Sequence, residues 1–210
     1  MSFRRLPTSF GVPFLAGLCV LWSLCAAAGT AAAARGKPQP RPARVMVEVP
    51  PESLRVTDGD TMVIDWPGGD RERVRVLGID TPEVAHDNHF LTEDQPYGPE
   101  ASAFARKRFA AAHRIQLLRS DRTDGYGRTL GFFFLDGVNY SVQVLRARLA
   151  YETVSHYGDN GFPEEAKACL EAARKASEKG PLPFEKPHLF RRAMREKARA
   201  AQEESLKTPR

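Results

Sequence analysis

The segment from Arg71 to Glu83 constrains the fold more than any other part of this chain. Val74 and Val76 alternate with Arg73 and Arg75, the period of a strand with one buried face. The run stops at Asp80-Thr81-Pro82-Glu83, where proline removes the donor that a continuing ladder needs. Arg75, Asp80 and Glu83 thus gather at the end of an apolar strand. Charges crowded on one wall repel or desolvate one another unless a metal, an anion or a counter-charge offsets them. Both signs are present, so the segment reads as a wall for metal and phosphate.

The neighbouring sequence supplies a framework of short strands. Val45 to Val49, Ser53 to Val56, Met62 to Trp66 and Arg71 to Leu77 are expected strands, with Pro67-Gly68-Gly69-Asp70 as the turn between the last two. A helix is expected from about Gly98 to His113, since Pro99 suits its first turn, Glu100 complements its dipole, and Ala101, Phe104, Ala105 and Ala112 share a face. Strands at His113 to Arg119 and Thr129 to Leu135 follow, then helices at Tyr140 to Leu149 and Pro163 to Lys179, the last stopped by Gly180-Pro181. Short strands interrupted by helices predict an α+β domain built on a small barrel. No internal repeat is present.

Residues 1–34 carry Arg4 and Arg5, an apolar run from Gly11 to Leu24 and alanine-rich residues to Ala34, the layout of a secretory signal. Export is expected; an uncleaved anchor helix is the alternative, because the run approaches the ~20 residues that span a bilayer. Leu24 before Cys25 does not suit lipidation. Cleavage would remove Cys19 and Cys25, leaving Cys169 and no internal disulfide. Cys169 shares helical spacing with Ala166, Leu170 and Ala173 and is expected in the core. Without the two leader arginines, 29 of the 31 basic residues face 26 acidic ones, a net +3, mildly in favour of a polyanionic partner. Residues 35–44, with Pro38, Pro40 and Pro42, are expected to form a linker, residues 45–180 the folded domain, and residues 181–210 a basic tail that reads as a solvated helix or disordered arm, with a dedicated binding element as the alternative.

Four segments converge in type: Asp58-Gly59-Asp60-Thr61, Arg75, Asp80-Thr81-Pro82-Glu83 and the glycine-bearing loop Arg122 to Arg128. Singly they are ordinary; Arg75 and Glu83 read equally as a surface ion pair, and Asp80-Thr81-Pro82 as a strand-ending turn. In order, however, Asp58–Thr61, Arg75–Glu83, Tyr97-Gly-Pro-Glu-Ala-Ser-Ala-Phe104, Arg122-Thr-Asp-Gly-Tyr-Gly-Arg128 and Leu149-Ala150 resemble the thermonuclease, or staphylococcal-nuclease-like, family from about Val56 to Lys179.

The resemblance implies a five-stranded oligonucleotide-binding barrel with three helices, a Ca2+ ion, and hydrolysis of DNA and RNA. It assigns Asp60 and Asp80 as side-chain calcium ligands, Thr81 as a carbonyl ligand, Glu83 as the general base, Arg75 and Arg128 as phosphate clamps, and Tyr126 as part of the nucleotide pocket. These roles make physical sense. An ion of this kind takes six or more oxygens, guanidiniums match pairs of phosphate oxygens, and cations fixed where charge accumulates lower the barrier to water attack.

The sequence departs from the family at several points. The connection between Glu83 and Tyr97 is longer and carries His86, Asp87, His89, Glu93 and Asp94, expected to form a mobile loop at the cleft mouth, with a second metal site as the alternative. Tyr151 and Tyr157 do not align with the aromatic pair of the family, Arg148 replaces a usual glycine, and Gly180-Pro-Leu-Pro-Phe184 lacks the usual tryptophan. The resulting expectation is a secreted or periplasmic, monomeric, calcium-dependent nuclease with DNA and RNA as substrates, no stable protein partner, and membrane attachment only if the leader stays. A non-catalytic nucleic-acid- or protein-binding barrel is the alternative.

Overall fold

Alternation in the first half of the domain builds a curled antiparallel unit. In a computed structural model, which describes residues 40–86 and 90–207, β1 (Met46–Glu48), β2 (Leu54–Val56), β3 (Thr61–Asp65) and β4 (Arg71–Val76) are followed by the two-residue β5 (Ile79–Asp80). The expected signal segment and the first half of the expected linker, residues 35–39, lie outside the described residues. Next come α1 (Gly98–Ala111), β6 (Ile115–Thr123), β7 (Thr129–Leu135), β8 (Val138–Asn139), α2 (Tyr140–Arg146), β9 (Tyr151–Glu152), α3 (Val154–Tyr157), α4 (Pro163–Ser177) and α5 (Pro187–Lys207).

The strand order is β1-β6-β7-β4-β3-β2, with β8 on β7 and a separate β5-β9 pair. β4 and β7 run parallel, with Arg75 beside Leu130, while Thr61 of β3 lies opposite Arg75. This register brings the Asp58–Thr61 turn, the end of β4 and the start of β7 to one end of the sheet. The expected α+β, oligonucleotide-binding-like class is borne out. Among the described residues nine strands stand against the five that the resemblance implies: six are the strands expected from the sequence, and β5, β8 and β9 are two-residue pairings too short for periodicity to reveal. Helices exceed the expected three by the one-turn α3 and by α5.

Met62, Ile64, Val74, Val76, Ile115, Leu117, Phe132 and Phe133 form the core beneath this sheet, joined by Phe109 of α1 and Tyr140 of α2. Phe109 meets the Phe133 ring edge-on at 5.3 Å. Cys169 is buried as expected, with Ala166 and Ala172 as its companions on α4, while Leu170 points outward at 41% exposure. Burial, with the charges of Glu152 and Glu165, pushes the Cys169 thiol up to about 12, so it is an inert packing group. Arg41 and Arg44 are tied to the domain, the first donating to both oxygens of Asp70 and the second pairing with Asp121.

Two departures from the family find structural reasons. Arg148 adopts φ 62°, the left-handed region that favours glycine. Its guanidinium donates to the carbonyls of Ala176, Gly180 and Pro181, closing the end of α4 and offsetting the backbone cost. Phe184 is buried between the rings of Tyr97 and Tyr151, each with centroids 5.6 Å away. It forms an apolar anchor after α4, and Tyr151 donates its hydroxyl to the Phe184 carbonyl at 2.9 Å.

Candidate active site

The turn before β3 is built for close approach. A Cβ on Gly59 would lie 2.7–2.9 Å from the Thr81 side chain, so only glycine lets this turn press against the strand end that carries Asp80 and Thr81. Tyr140 donates its hydroxyl to the Gly59 carbonyl at 2.8 Å, and the Val76 amide donates to the Asp60 carbonyl at 2.9 Å. Thus held, Asp60 is 2% exposed and accepts the Thr81 amide at 2.8 Å.

Glu83 is positioned through its backbone. The fully buried Gln95 accepts the Glu83 amide at 3.2 Å on its side-chain oxygen, while its own amide donates to the Glu83 carbonyl at 2.9 Å. At the start of α1, a Cβ on Gly98 would fall 2.0 Å from the Glu83 carbonyl oxygen. Helix α1 therefore abuts residue 83 only because position 98 has no side chain.

The side chains join into one network. Arg75 donates to Asp60 and, at 2.6 Å, to Asp80, so one guanidinium spans the two predicted ligand carboxylates. Arg128 donates to Asp124 at 2.6 Å and to the Thr61 hydroxyl at 3.2 Å, which in turn donates to Asp60 at 3.3 Å. Tyr126 is 76% exposed at the rim, with the Arg128 guanidinium 5.5 Å from its ring centroid. The structure thus brings Asp60, Arg75, Asp80, Thr81, Glu83 and Arg128 together and leaves Tyr126 at the edge.

Three partners escaped the sequence reading as members of the site. Asp124 holds Arg128 in place, Asp58 adds a further carboxylate, and Arg191 of α5 donates to both oxygens of Asp80 at 3.0 Å and to Glu83. Asp58 and Asp124 lie within the Asp58–Thr61 and Arg122–Arg128 segments that carry the family resemblance. Arg191 had no local signal, being one of several basic residues on a charged helix.

The electrostatics are those of an acid excess. Burial, then the charges of Asp58 and Asp80, push Asp60 up to about 7 against the opposing pull of Arg75. Glu83 is raised by burial and by Asp60, outweighing Arg191 and Arg75. Burial also acts on Asp80, but Arg75 and Arg191 hold its carboxyl below the usual range.

An all-oxygen donor set with surplus negative charge fits a hard divalent cation, although among the described residues no three Asp, Glu, His or Cys side chains form a ready-made cluster. In the 84–96 connection, Asp94 accepts the Ala85 amide at 2.7 Å and Glu93 pairs with Lys197 at 3.2 Å. Asp87 and His89, proposed with them for a second metal site, lie outside the described residues. Leu91 is buried and Gln95 is clamped, so the described ends of this connection are anchored to the domain.

Residues 73–180 match the family described as staphylococcal nuclease homologue. The chain belongs to the staphylococcal nuclease family. It is 37% identical over 129 residues to the thermonuclease of Staphylococcus intermedius, covering 61% of this chain and 71% of that protein. Over 98 residues it is 37% identical to the thermonuclease of Staphylococcus hyicus, covering 46% of this chain and 55% of that protein. The SPbeta prophage-derived endonuclease YokF of Bacillus subtilis is 35% identical over 124 residues, covering 56% of this chain and 40% of the relative. The chain therefore spans about half or less of the length of the latter two. Membership in the staphylococcal nuclease family bears out the expected resemblance and the expected class of enzyme, a nuclease.

Proposed function

We propose that this nuclease-family chain is an exported, calcium-dependent enzyme that hydrolyses DNA and RNA with little sequence preference, leaving 3′-phosphate ends. The observation that carries the reading is the Arg75 guanidinium bridging Asp60 and Asp80, with Glu83 and Arg128 joined to the same network. This is a paired set of carboxylates, a base and phosphate-binding cations in one cleft.

Asp60, Asp80 and the Thr81 carbonyl would hold the calcium ion. When bound, the ion supplies positive charge against the phosphate and polarises it toward attack. Glu83 takes the proton of the attacking water; burial gives it a higher proton affinity than a solvated glutamate has, which suits a base. Arg75 and Arg128 bind the non-bridging oxygens and stabilise the charge that grows on them as water adds to phosphorus. Arg75 must exchange part of its hold on the carboxylates for phosphate to do so. The exposed Tyr126 ring offers a face to the adjoining nucleoside. The bond from phosphorus to the 5′ oxygen breaks, and that oxygen takes a proton from solvent.

The deciding assay is degradation of plasmid DNA and of an unstructured RNA by the protein with added calcium and with chelator. Degradation of both polymers that stops with chelator is expected. Nucleic-acid binding without degradation in either condition would replace this reading with the non-catalytic barrel. Export is checked by mass analysis of the chain recovered outside the cytoplasm, which is expected to start after the alanine-rich stretch ending at Ala34.

A further inference from the structure

Helix α5 lies beyond the residues matched by the family, yet it inserts a cation into the candidate site. The chain reaches it through the Phe184 anchor and through Gln95, whose side-chain amide donates to the Glu185 carbonyl at 2.8 Å. Gln95 thus links the Glu83 backbone to the root of the helix. Past this point a narrow apolar edge of the helix packs on the domain, with Pro187 and Met194 buried and Phe190 half-buried, while the Arg195 guanidinium sits 4.9 Å from the Phe90 ring centroid and Lys197 meets Glu93 in an exposed pair. Exposed ion pairs of this kind contribute little. Arg191 therefore adds a charged contact with the site acids to a helix otherwise held by that apolar edge.

Arg191 engages both oxygens of Asp80 and one of Glu83. Asp80 Oδ1 also accepts from Arg75, so guanidinium donors occupy both Asp80 oxygens. A metal ligand must offer its lone pairs to the ion, and a base must offer one to water. Neither carboxylate can do so fully while Arg191 is seated.

We propose that Arg191 is a tethered counter-ion that takes the place of a divalent cation on Asp80 and Glu83, so that metal binding and docking of α5 exclude one another. The inference rests on the calcium reading of the site given above. Arg75, from the sheet, remains beside Asp60 and Asp80 in either state. Arg191, on a helix outside the sheet that packs through a narrow apolar edge and exposed ion pairs, is the charge that can leave. Docked, it compensates the acids and blocks the base; undocked, it opens both together.

Calorimetric titration of the full-length, metal-free protein with calcium, in the absence of nucleic acid, tests this. Arg191→Ala is expected to tighten calcium binding by about 5–150-fold, the range of ordinary coupling between sites. Lys197→Glu, which loosens the helix through its contact with Glu93, moves affinity the same way by less. Arg192→Ala, at an exposed position paired with Glu196, leaves it unchanged. Hydrogen exchange gives a readout independent of activity: saturating calcium should speed exchange of α5 amides in the wild type, and Arg191→Ala should show fast exchange without calcium. Equal or weaker calcium binding by Arg191→Ala, or α5 protection indifferent to calcium, would overturn the competition while leaving the calcium site intact. Absence of calcium binding in both proteins would instead overturn the calcium reading, and the inference with it.

Discussion

Glu72 on β4 and Asp60 in the turn before β3 are both buried carboxylates, 0% and 2% exposed, and they meet opposite electrostatics. Glu72 accepts two hydrogen bonds from Arg119 at 2.9 Å and one from the Trp66 ring nitrogen at 2.8 Å. Burial works against its charge, yet Arg119, Thr129 and Trp66 hold its carboxyl below the usual range. Asp60 shares its guanidinium with Asp80, has Asp58 as a further neighbour, and is pushed up to about 7. The first is a matched pair with its polar groups satisfied. The second is an acid surplus that a proton or a further cation relieves. A buried charge therefore marks function here by its mismatch with its surroundings rather than by its burial.

The comparison breaks most sharply in turnover. Glu83→Gln is expected to lower the rate of phosphodiester cleavage by about 10²–10⁴-fold, the contribution of a general base, while the melting temperature changes little. Steady-state cleavage of a fluorescent oligonucleotide beside a thermal melt measures both. Near-normal cleavage by the glutamine variant would remove Glu83 from the reaction.

Arg119→Ala should show the reverse pattern. It removes the two-pronged partner of the buried Glu72 carboxylate, leaving the Trp66 donor and Arg41 at 3.9 Å, and breaking such a pair costs about 3–5 kcal/mol. Urea unfolding is expected to show that loss, with cleavage per folded molecule nearly unchanged. A stability loss below about 1 kcal/mol would mean that Glu72 finds water or another donor.

The smallest effect sharpens the sign of the Asp60 environment. Its folded-state value, about 7, lies above the ordinary 3.8, so the folded protein favours the protonated form. Its contribution is fully present below about pH 4 and is lost as pH rises toward and through 7. Asp60→Asn stays neutral throughout. In chelator at pH 8 it should be more stable than the wild type by about 1–3 kcal/mol, with the gap closing toward pH 4, while its calcium affinity falls. Unfolding curves at the two pH values, with calcium titrations, check this; a destabilised variant at pH 8 would show that Arg75 needs the Asp60 charge more than burial opposes it.

Much of this was legible before any coordinates. Val74 and Val76 gave the phase of β4, Thr129 to Leu135 matched its strand end to end, and Gly180-Pro181 stopped α4 close to its observed end at Ser177. Glu72 shares the inward phase of Val74 and Val76, as Arg119 does that of Ile115 and Leu117, so both were readable as inward charges. Their pairing was not, because 47 residues separate them. Arg191 was less legible still. Its neighbours Arg192 and Arg195 carry the same charge, and nothing local distinguishes the arginine that turns toward Asp80.

The sequence by itself determined the family, the α+β class and the set of acids and arginines, since these rest on ordered short blocks whose chemistry and periodicity are local. Tertiary structure decided which charges are matched and which are in surplus, and that a guanidinium from the C-terminal helix stands on the acids. Charge balance inside a fold depends on distances between segments far apart in the chain and on the water that packing removes, and neither is written in the residues of any one segment.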